Sequence, residues 1–454
     1  MAQGRKIYYS AGLAYLAFVV YGSLVPLDFR ARPFDSALRD FFSMPYFELD
    51  ASSRADWVAN ILLYIPLAYL WLGALTRERR RFRQAFFSLL VFAFCATLIV
   101  AIEFTQQFFP PRTVSLNDLI AETIGTVLGI ILWWTSGQGL RRLFEIATSQ
   151  ERNAAYAGLI LYSSAYLVFS LFPFDFLISA QEIERKWAGN YFSFLASPAR
   201  CGEGLRCGVK MAAEAAAAAP LGLLLSFILR RRGWKLIQAG ACIGLWLGFA
   251  IESLQFFLAS GVTLGASVLT RMAGIAAGAA LGAWLQQSKP WPLLYLWAPW
   301  MPFAAALYVG LLLTVALQGR GPMLSAERGL ERLSEIYFMP FYYHYYTSEA
   351  EAMTSLLGVA SMFFPVGIMY WIWRIVRMRE FIGRGAIQAA LLSGLIGAAL
   401  ETIKLFFRGA RPDPTNVLIA SAAAAISFLA VSLCTHATLN NPAPLDDRSA
   451  REAG

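Results

Sequence analysis

The sequence predicts an all-α polytopic membrane protein. About twelve transmembrane helices are expected, in three parallel four-helix repeats with amphipathic helices on the outer side. Three observations carry this. First, 58% of the 454 residues are hydrophobic and only 15% are charged, against about 25% charged in ordinary soluble domains. Mean hydropathy is +0.53. Second, apolar runs long enough to cross a bilayer, roughly 17 to 25 residues, recur along the whole chain. Third, one pattern occurs three times: AIEFTQQFF (101–109), AIESLQFFL (250–258) and ALETIKLFF (399–407). The glutamates Glu103, Glu252 and Glu401 are separated by 149 residues each time, as a tandem repeat requires.

The spans follow in order. Residues 1–150 form the first unit, with spans at 7–27, 57–75, 84–109 and 119–134. The last of these is short, and its polar start belongs at the interface. Residues 151–290 form the second unit, with spans at 154–174, 211–229, 236–258 and 268–285. The span at 211–229 opens on an alanine run that helix propensity alone would favour even in a soluble chain. Residues 291–436 form the third unit, with spans at 293–317, 352–373, 387–407 and 417–434. Residues 437–454 read as a disordered cytoplasmic tail. Further motifs correspond between units. YIPLAYL (64–70), AAPLGLL (218–224) and FFPVGIM (363–369) place Pro66, Pro220 and Pro365 in the second helix of each unit. SLVPLDF (23–29) matches SLFPFDF (170–176), and SMPYF (43–47) matches FMPFY (338–342). Four spans return the chain to its starting side, so every unit has the same orientation. Parallel repeats pack around an axis along the membrane normal. Between the first two spans of each unit lie segments 33–44, 179–192 and 325–339, whose mixed polarity predicts amphipathic helices at the outer leaflet.

Orientation follows from Lys and Arg in the short loops. With a cytoplasmic N-terminus, the inner segments hold 21 basic residues and the outer ones 15, while acids run 7 against 17. RERRRFR (77–83), RRRGWK (230–235) and RIVRMRE (374–380) are the cytoplasmic anchors. The net charge of +9 is thus a matter of topology, and nucleic acid is not an expected partner. Arg5 and Lys6 precede an apolar run, but no small-residue cleavage site of a signal peptide follows.

Ionised residues inside a bilayer are costly and mark function or pairing. If the third helix runs to Phe109, Glu103 lies about 9 Å below its outer end. Gln106 and Gln107, at i+3 and i+4, share its face. Arg112 follows in a PPR bend that bars regular helix. Ser115 or Asn117 is placed to cap the next helix, with Asp118 near its first-turn amides and Glu122 one turn further. Each membrane glutamate is matched to a cation: Arg112 for Glu103, Arg271 for Glu252, Lys404 for Glu401. The second and third units therefore read as buried pairs that hold helices together. The first unit, with its larger polar set, reads as a ligand site. Gly125 and Gly129, repeated as Gly274 and Gly278, have the spacing that lets helices approach closely in lipid.

Other chemistry is sparse. His344 and His436 do not make a metal centre, no phosphate-binding glycine loop occurs, and no cofactor is expected. No nucleophile with an adjacent base is legible. YYHYYTSE (342–349) fits an interfacial aromatic belt, with a ligand shelf as the lesser reading. Cys95, Cys242 and Cys434 lie in spans as packing residues. Cys201 and Cys207 share an outer loop, where an oxidising compartment favours a disulfide.

The run NILLYIPLAYL (60–70) followed by EFTQQFFPPRTVSLNDLIAETIGTVLG (103–129) resembles the VanZ-like family. The matching positions are Asn60, Pro66, Glu103, Gln106, Arg112, Asp118, Gly125 and Gly129, while Glu122 stands where the family commonly has Asn. The resemblance covers about residues 7–135 and is weaker in the two later units. It implies a bacterial inner-membrane protein of the cell envelope, in a family associated with glycopeptide antibiotic resistance. It implies an architecture and a compartment rather than a substrate. The expected function is binding of a lipid-linked or amphipathic envelope molecule near the outer leaflet, without catalysis, by Asn60, Glu103, Gln106, Gln107, Arg112, Asp118 and Glu122. Membrane lipid or a lipid-linked envelope precursor is the expected partner. A transporter or flippase is the first alternative. A membrane enzyme acting on a lipid-linked sugar or phosphate through Glu103, Arg112 and Asp118 is the second.

Overall fold

The computed structural model describes residues 2–50, 53–76, 81–148, 154–189, 192–193, 205–229, 231, 233–288, 290–375 and 382–439. Among them, eleven helices are long and apolar enough to cross a membrane, and a shorter apolar helix joins them. The protein is a polytopic all-α membrane protein. Large apolar side chains such as Leu89, Trp246 and Leu395 stand exposed along these helices. A helix surface of that kind suits lipid rather than water.

The first four long helices are α1 (Ala2–Leu24), α3 (Ser53–Leu75), α4 (Arg81–Gln106) and α5 (Leu116–Thr148), with the short α2 (Phe34–Phe42) after α1. Next come α6 (Ala154–Ser170), the short α7 (Ala180–Ala188), α8 (Leu205–Ile228), α9 (Trp234–Phe256) and α10 (Gly265–Gln287). The last group is α11 (Pro290–Trp297), a 3-10 turn Ala298–Trp300, α12 (Met301–Leu317), the short α13 (Ala326–Leu333), the single turn α14 (Tyr342–Tyr345), α15 (Glu349–Ile375), α16 (Ile382–Lys404) and α17 (Thr415–Leu439). A two-residue parallel pairing joins Phe192–Ser193 to Thr263–Leu264.

Most boundaries shift by a few residues, and four of the differences have a local reason. The third helix stops at Gln106 because residues 107–109 turn toward the Pro110–Pro111 pair. The fourth is much longer than its apolar stretch, since a helix continues past the hydrocarbon wherever its backbone bonds are satisfied internally. The fifth ends at Ser170, just ahead of Pro173, which supplies no amide donor. The ninth is interrupted at Ala298–Trp300, where Pro299 and Pro302 supply no amide donors.

In each group the proline-bearing helix packs against the last one: α3 on α5, α8 on α10, α15 on α17. Small residues permit it. A Cβ on Gly125 or Gly129 would fall on the carbonyl oxygens of Ile61 and Ile65. One on Gly274 or Gly278 would meet those of Ala215 and Ala219. The third group lacks a glycine pair on α17. There the close approach is made by Gly367 of α15, against Ala424 and Ser427.

All three amphipathic segments contain helices. Ser179 caps α7 in a reciprocal box with Glu182, and Ser325 caps α13. Each helix lays an apolar side on the end of its group's third long helix. Phe34 and Phe41 of α2 contact Phe104 at 5.5 and 5.7 Å between ring centres. Trp187 of α7 meets Phe256 at 5.8 Å. Gly329 of α13 lies beneath Phe406. One backbone bond recurs at this face: Arg30 N–H to Phe108 O (2.8 Å), Leu177 N–H to Phe257 O (2.8 Å) and Leu324 N–H to Phe406 O (2.7 Å). A side-chain bond recurs too, from Gln106 Nε2 to Ser23 O (2.9 Å) and from Gln255 Nε2 to Ser170 O (2.7 Å). We call this side of the molecule the loop face. The groups meet there. Arg54, buried on α3, donates to Phe176 O at 2.6 Å and pairs with Glu182. Tyr21 donates to Pro340 O at 2.6 Å.

Candidate functional site

Helices α3, α4 and α5 bring most of the expected polar residues together beneath the loop face. Ser115 precedes α5 and caps it, its hydroxyl accepting from Asp118 N–H at 3.3 Å and donating to Asp118 Oδ2 at 2.6 Å. The other carboxylate oxygen of Asp118 accepts from Asn60 Nδ2 at 2.6 Å. Asn117 does not cap. It accepts from the Phe47 amide and donates to the Phe47 carbonyl, both at 2.8 Å, and so ties the loop to α5. Below this layer Glu103 and Glu122 are each only 2% exposed. Oε2 of each has no hydrogen-bond partner. Tyr64 is fully buried, lies within electrostatic range of both carboxyl groups, and its hydroxyl is likewise unpartnered.

Three expectations fail here. Arg112 does not pair with Glu103. Its Nε donates to Val25 O at 2.7 Å, its Nη2 donates to Gly22 O, and its guanidinium stacks over the Tyr345 ring at 4.4 Å. The carbonyls at the end of α1 have no helical partners, and the arginine satisfies them. Burial draws its pKa below the ordinary arginine value. Gln106 turns away to hold Ser23. Gln107 is not on the Glu103 face, because the helix has already ended. Its Oε1 accepts from Arg32 at 2.9 Å, and Arg32 also pairs with Asp40.

The later groups keep their glutamates neutralised. Glu252 and Arg271 form a buried ion pair, and Glu252 also accepts from Leu264 N–H at 2.7 Å. Glu401 accepts from Lys404 Nζ at 2.7 Å, from Asn416 Nδ2 at 2.8 Å and from Asp413 N–H at 2.8 Å. The role Arg112 plays toward helix-end carbonyls recurs: Lys186 donates to Leu258 O, and Arg332 to Leu405 O, Phe407 O and Ala410 O. Burial likewise lowers the pKa of Lys186. Cys207 is disulfide-bonded, and Cys201 lies outside the described residues.

A second feature was legible only as an aromatic run. An open cavity of about 420 Å³ on the loop face is lined by Arg332, Tyr337, Tyr342, Tyr343, Tyr346 and Arg411, among others. Tyr337 and Tyr342 stack at 4.1 Å and 10°. Arg411 is exposed and lies 3.9 Å over the Tyr343 ring. Tyr342 resists ionisation, first through its hydrogen bond with Tyr346. Phenol faces stack on sugar rings, and a guanidinium takes a phosphate or carboxylate in a fork. The segment that supplies its tyrosines touches the first group through Tyr345 on Arg112 and Pro340 on Tyr21, residues beside the cavity lining. Sequence reading missed Tyr64, although it stands four residues after Asn60 and hence on the same helix face.

Residues 10–137 match the family model described as VanZ/LLP1. That interval runs from α1 into α5 and contains the whole Asn60–Glu122 cluster. No curated protein and no solved structure matches the chain.

Proposed function

We propose that this chain, which carries a VanZ-like domain over residues 10–137 at its N-terminus, binds a lipid-linked or amphipathic envelope molecule. We read its loop face as the outer side of a bacterial inner membrane and both termini as cytoplasmic. The division into three units, 1–150, 151–290 and 291–436, belongs to the same reading; of the expected tail at 437–454, the first three residues are helical in α17, which runs to Leu439, and residues 440–454 lie outside the described residues. The observation that carries it is the tyrosine- and arginine-lined cavity on the loop face, set against the VanZ-like unit. Its walls suit a sugar-bearing anionic headgroup. The flanking amphipathic helices α2, α7 and α13 suit an interface where acyl or prenyl chains remain in lipid. The ligand contacts thus shift from Glu103 and Arg112, which are buried or committed, to Tyr342, Tyr343 and Arg411. Sequestering or presenting a lipid-linked precursor is a route by which such a protein would affect glycopeptide resistance or envelope polysaccharide assembly.

The test is lipid extraction and mass spectrometry on the purified full chain. Wild type and Glu103→Gln should retain the same anionic or glycosylated lipid. Arg411→Ala and Tyr342→Ala should each lose most of it. Equal retention by all four proteins would overturn the reading.

A further inference from the structure

We propose that Glu103, Glu122 and Tyr64 form a buried site for one small monovalent cation, H+ or Na+, entered from the loop face past Asp118. The first argument is charge. Glu103 and Glu122 stand in the same places as Glu252 and Arg271, 149 residues earlier in each case. In the second unit those positions hold a buried ion pair. In the first they hold two carboxyl groups, and the nearby cation, Arg112, is committed to the carbonyls of Gly22 and Val25. Two ionised carboxylates in a medium of low polarity are too costly to persist unaccompanied. Something positive from outside the chain has to enter.

The second argument is the set of orphaned atoms. Oε2 of Glu103, Oε2 of Glu122 and the hydroxyl of Tyr64 have no hydrogen-bond partner among the described residues, and these residues are 2%, 2% and 0% exposed. They come from three different helices, α4, α5 and α3. Oxygen donors of this kind suit a hard cation or a shared proton. The third argument is access. Asp118, Glu122 and Thr126 follow one another at i, i+4 and i+8 along α5. Asp118 is half-buried at the loop-face end of α5, with its carboxylate oriented by Asn60 and Ser115. The titratable or charged groups around the site are Asp56 and Tyr64 on α3, Cys95 on α4, Asp118 on α5 and Arg112 in the intervening loop.

A lipophilic carbodiimide tests this, because it modifies protonated carboxyl groups in apolar surroundings. The full-length protein in vesicles should give adducts on Glu103 or Glu122 and none on the ion-paired Glu252 and Glu401. The yield should fall several-fold once pH is raised far enough to ionise the pair. Protection when sodium replaces choline at fixed pH assigns Na+ as the ligand; pH dependence without that protection assigns H+. Tyr64→Phe, which keeps the packing and removes the hydroxyl, should shift the midpoint of the pH or sodium response. Arg411→Ala should leave labelling unchanged, which separates this site from the headgroup cavity. Absence of adducts at both glutamates, or a yield flat across pH and sodium, would overturn the proposal.

Discussion

Position 271 shows how one side chain changes what a helix bundle holds. Arg271 completes Glu252 in a buried ion pair, so that site is closed. Removing one partner leaves a lone charge in the interior, a loss of about 3–5 kcal/mol. Replacing both by apolar residues of similar size removes the charge problem altogether. Arg271→Ala is therefore expected to lower the melting temperature in detergent sharply. The double variant Glu252→Leu with Arg271→Met should recover most of it. A double variant as unstable as the single one would show that the pair is not what the helices depend on. The Glu252–Arg271 and Glu401–Lys404 pairings were readable from spacing. The fate of Arg112 was not, because its acceptors on α1 lie 87 and 90 residues away in the chain. No local rule ranks those carbonyls against Glu103.

Among the elements, close packing of the second and fourth helices is the repeated device. Gly278 has the Ala219 carbonyl against the space a Cβ would fill. Gly278→Leu should force α8 and α10 apart and destabilise by about 1–3 kcal/mol or more. Gly310 on α12 has nothing within 4 Å of a built Cβ. Gly310→Ala should be neutral or stabilising by up to about 1 kcal/mol. Thermal unfolding of both variants in one detergent checks the contrast, and a tolerated Gly278→Leu would refute it. The glycine pairs announced this packing in two groups. In the third, the small residue moved to the opposite helix as Gly367, which a pattern search on α17 alone does not find. Helix ends were the other weak point. Hydropathy reports where a segment leaves lipid, whereas α4 ends at Gln106 for reasons of proline geometry and α5 continues well past its apolar stretch through backbone bonding.

For the whole molecule, the loop face collects all three amphipathic helices and the tyrosine cavity, with Asp118 half-buried beneath it. If Lys and Arg set the orientation, that face lies outside the cytoplasm. Ser334→Cys on this face should react with a membrane-impermeant maleimide in intact cells, on a Cys242→Ser background. Gln287→Cys at the opposite end of α10 should react only after permeabilisation. The reverse result would invert the topology. The ties between groups, Arg54 to Glu182 and Tyr345 to Arg112, join residues that no repeat-by-repeat comparison pairs. The second sets the segment that carries the cavity tyrosines beside the VanZ-like unit.

By itself, the sequence settled the membrane class, the approximate number of spans and the recurrence of a glutamate every 149 residues, because composition and periodicity are local properties that lipid reads directly. Tertiary structure alone decided which charges are satisfied. A guanidinium or carboxylate takes whichever partner packing brings within about 3 Å. Here packing gave Arg112 to the end of α1 and left Glu103 and Glu122 without an ion pair among the described residues.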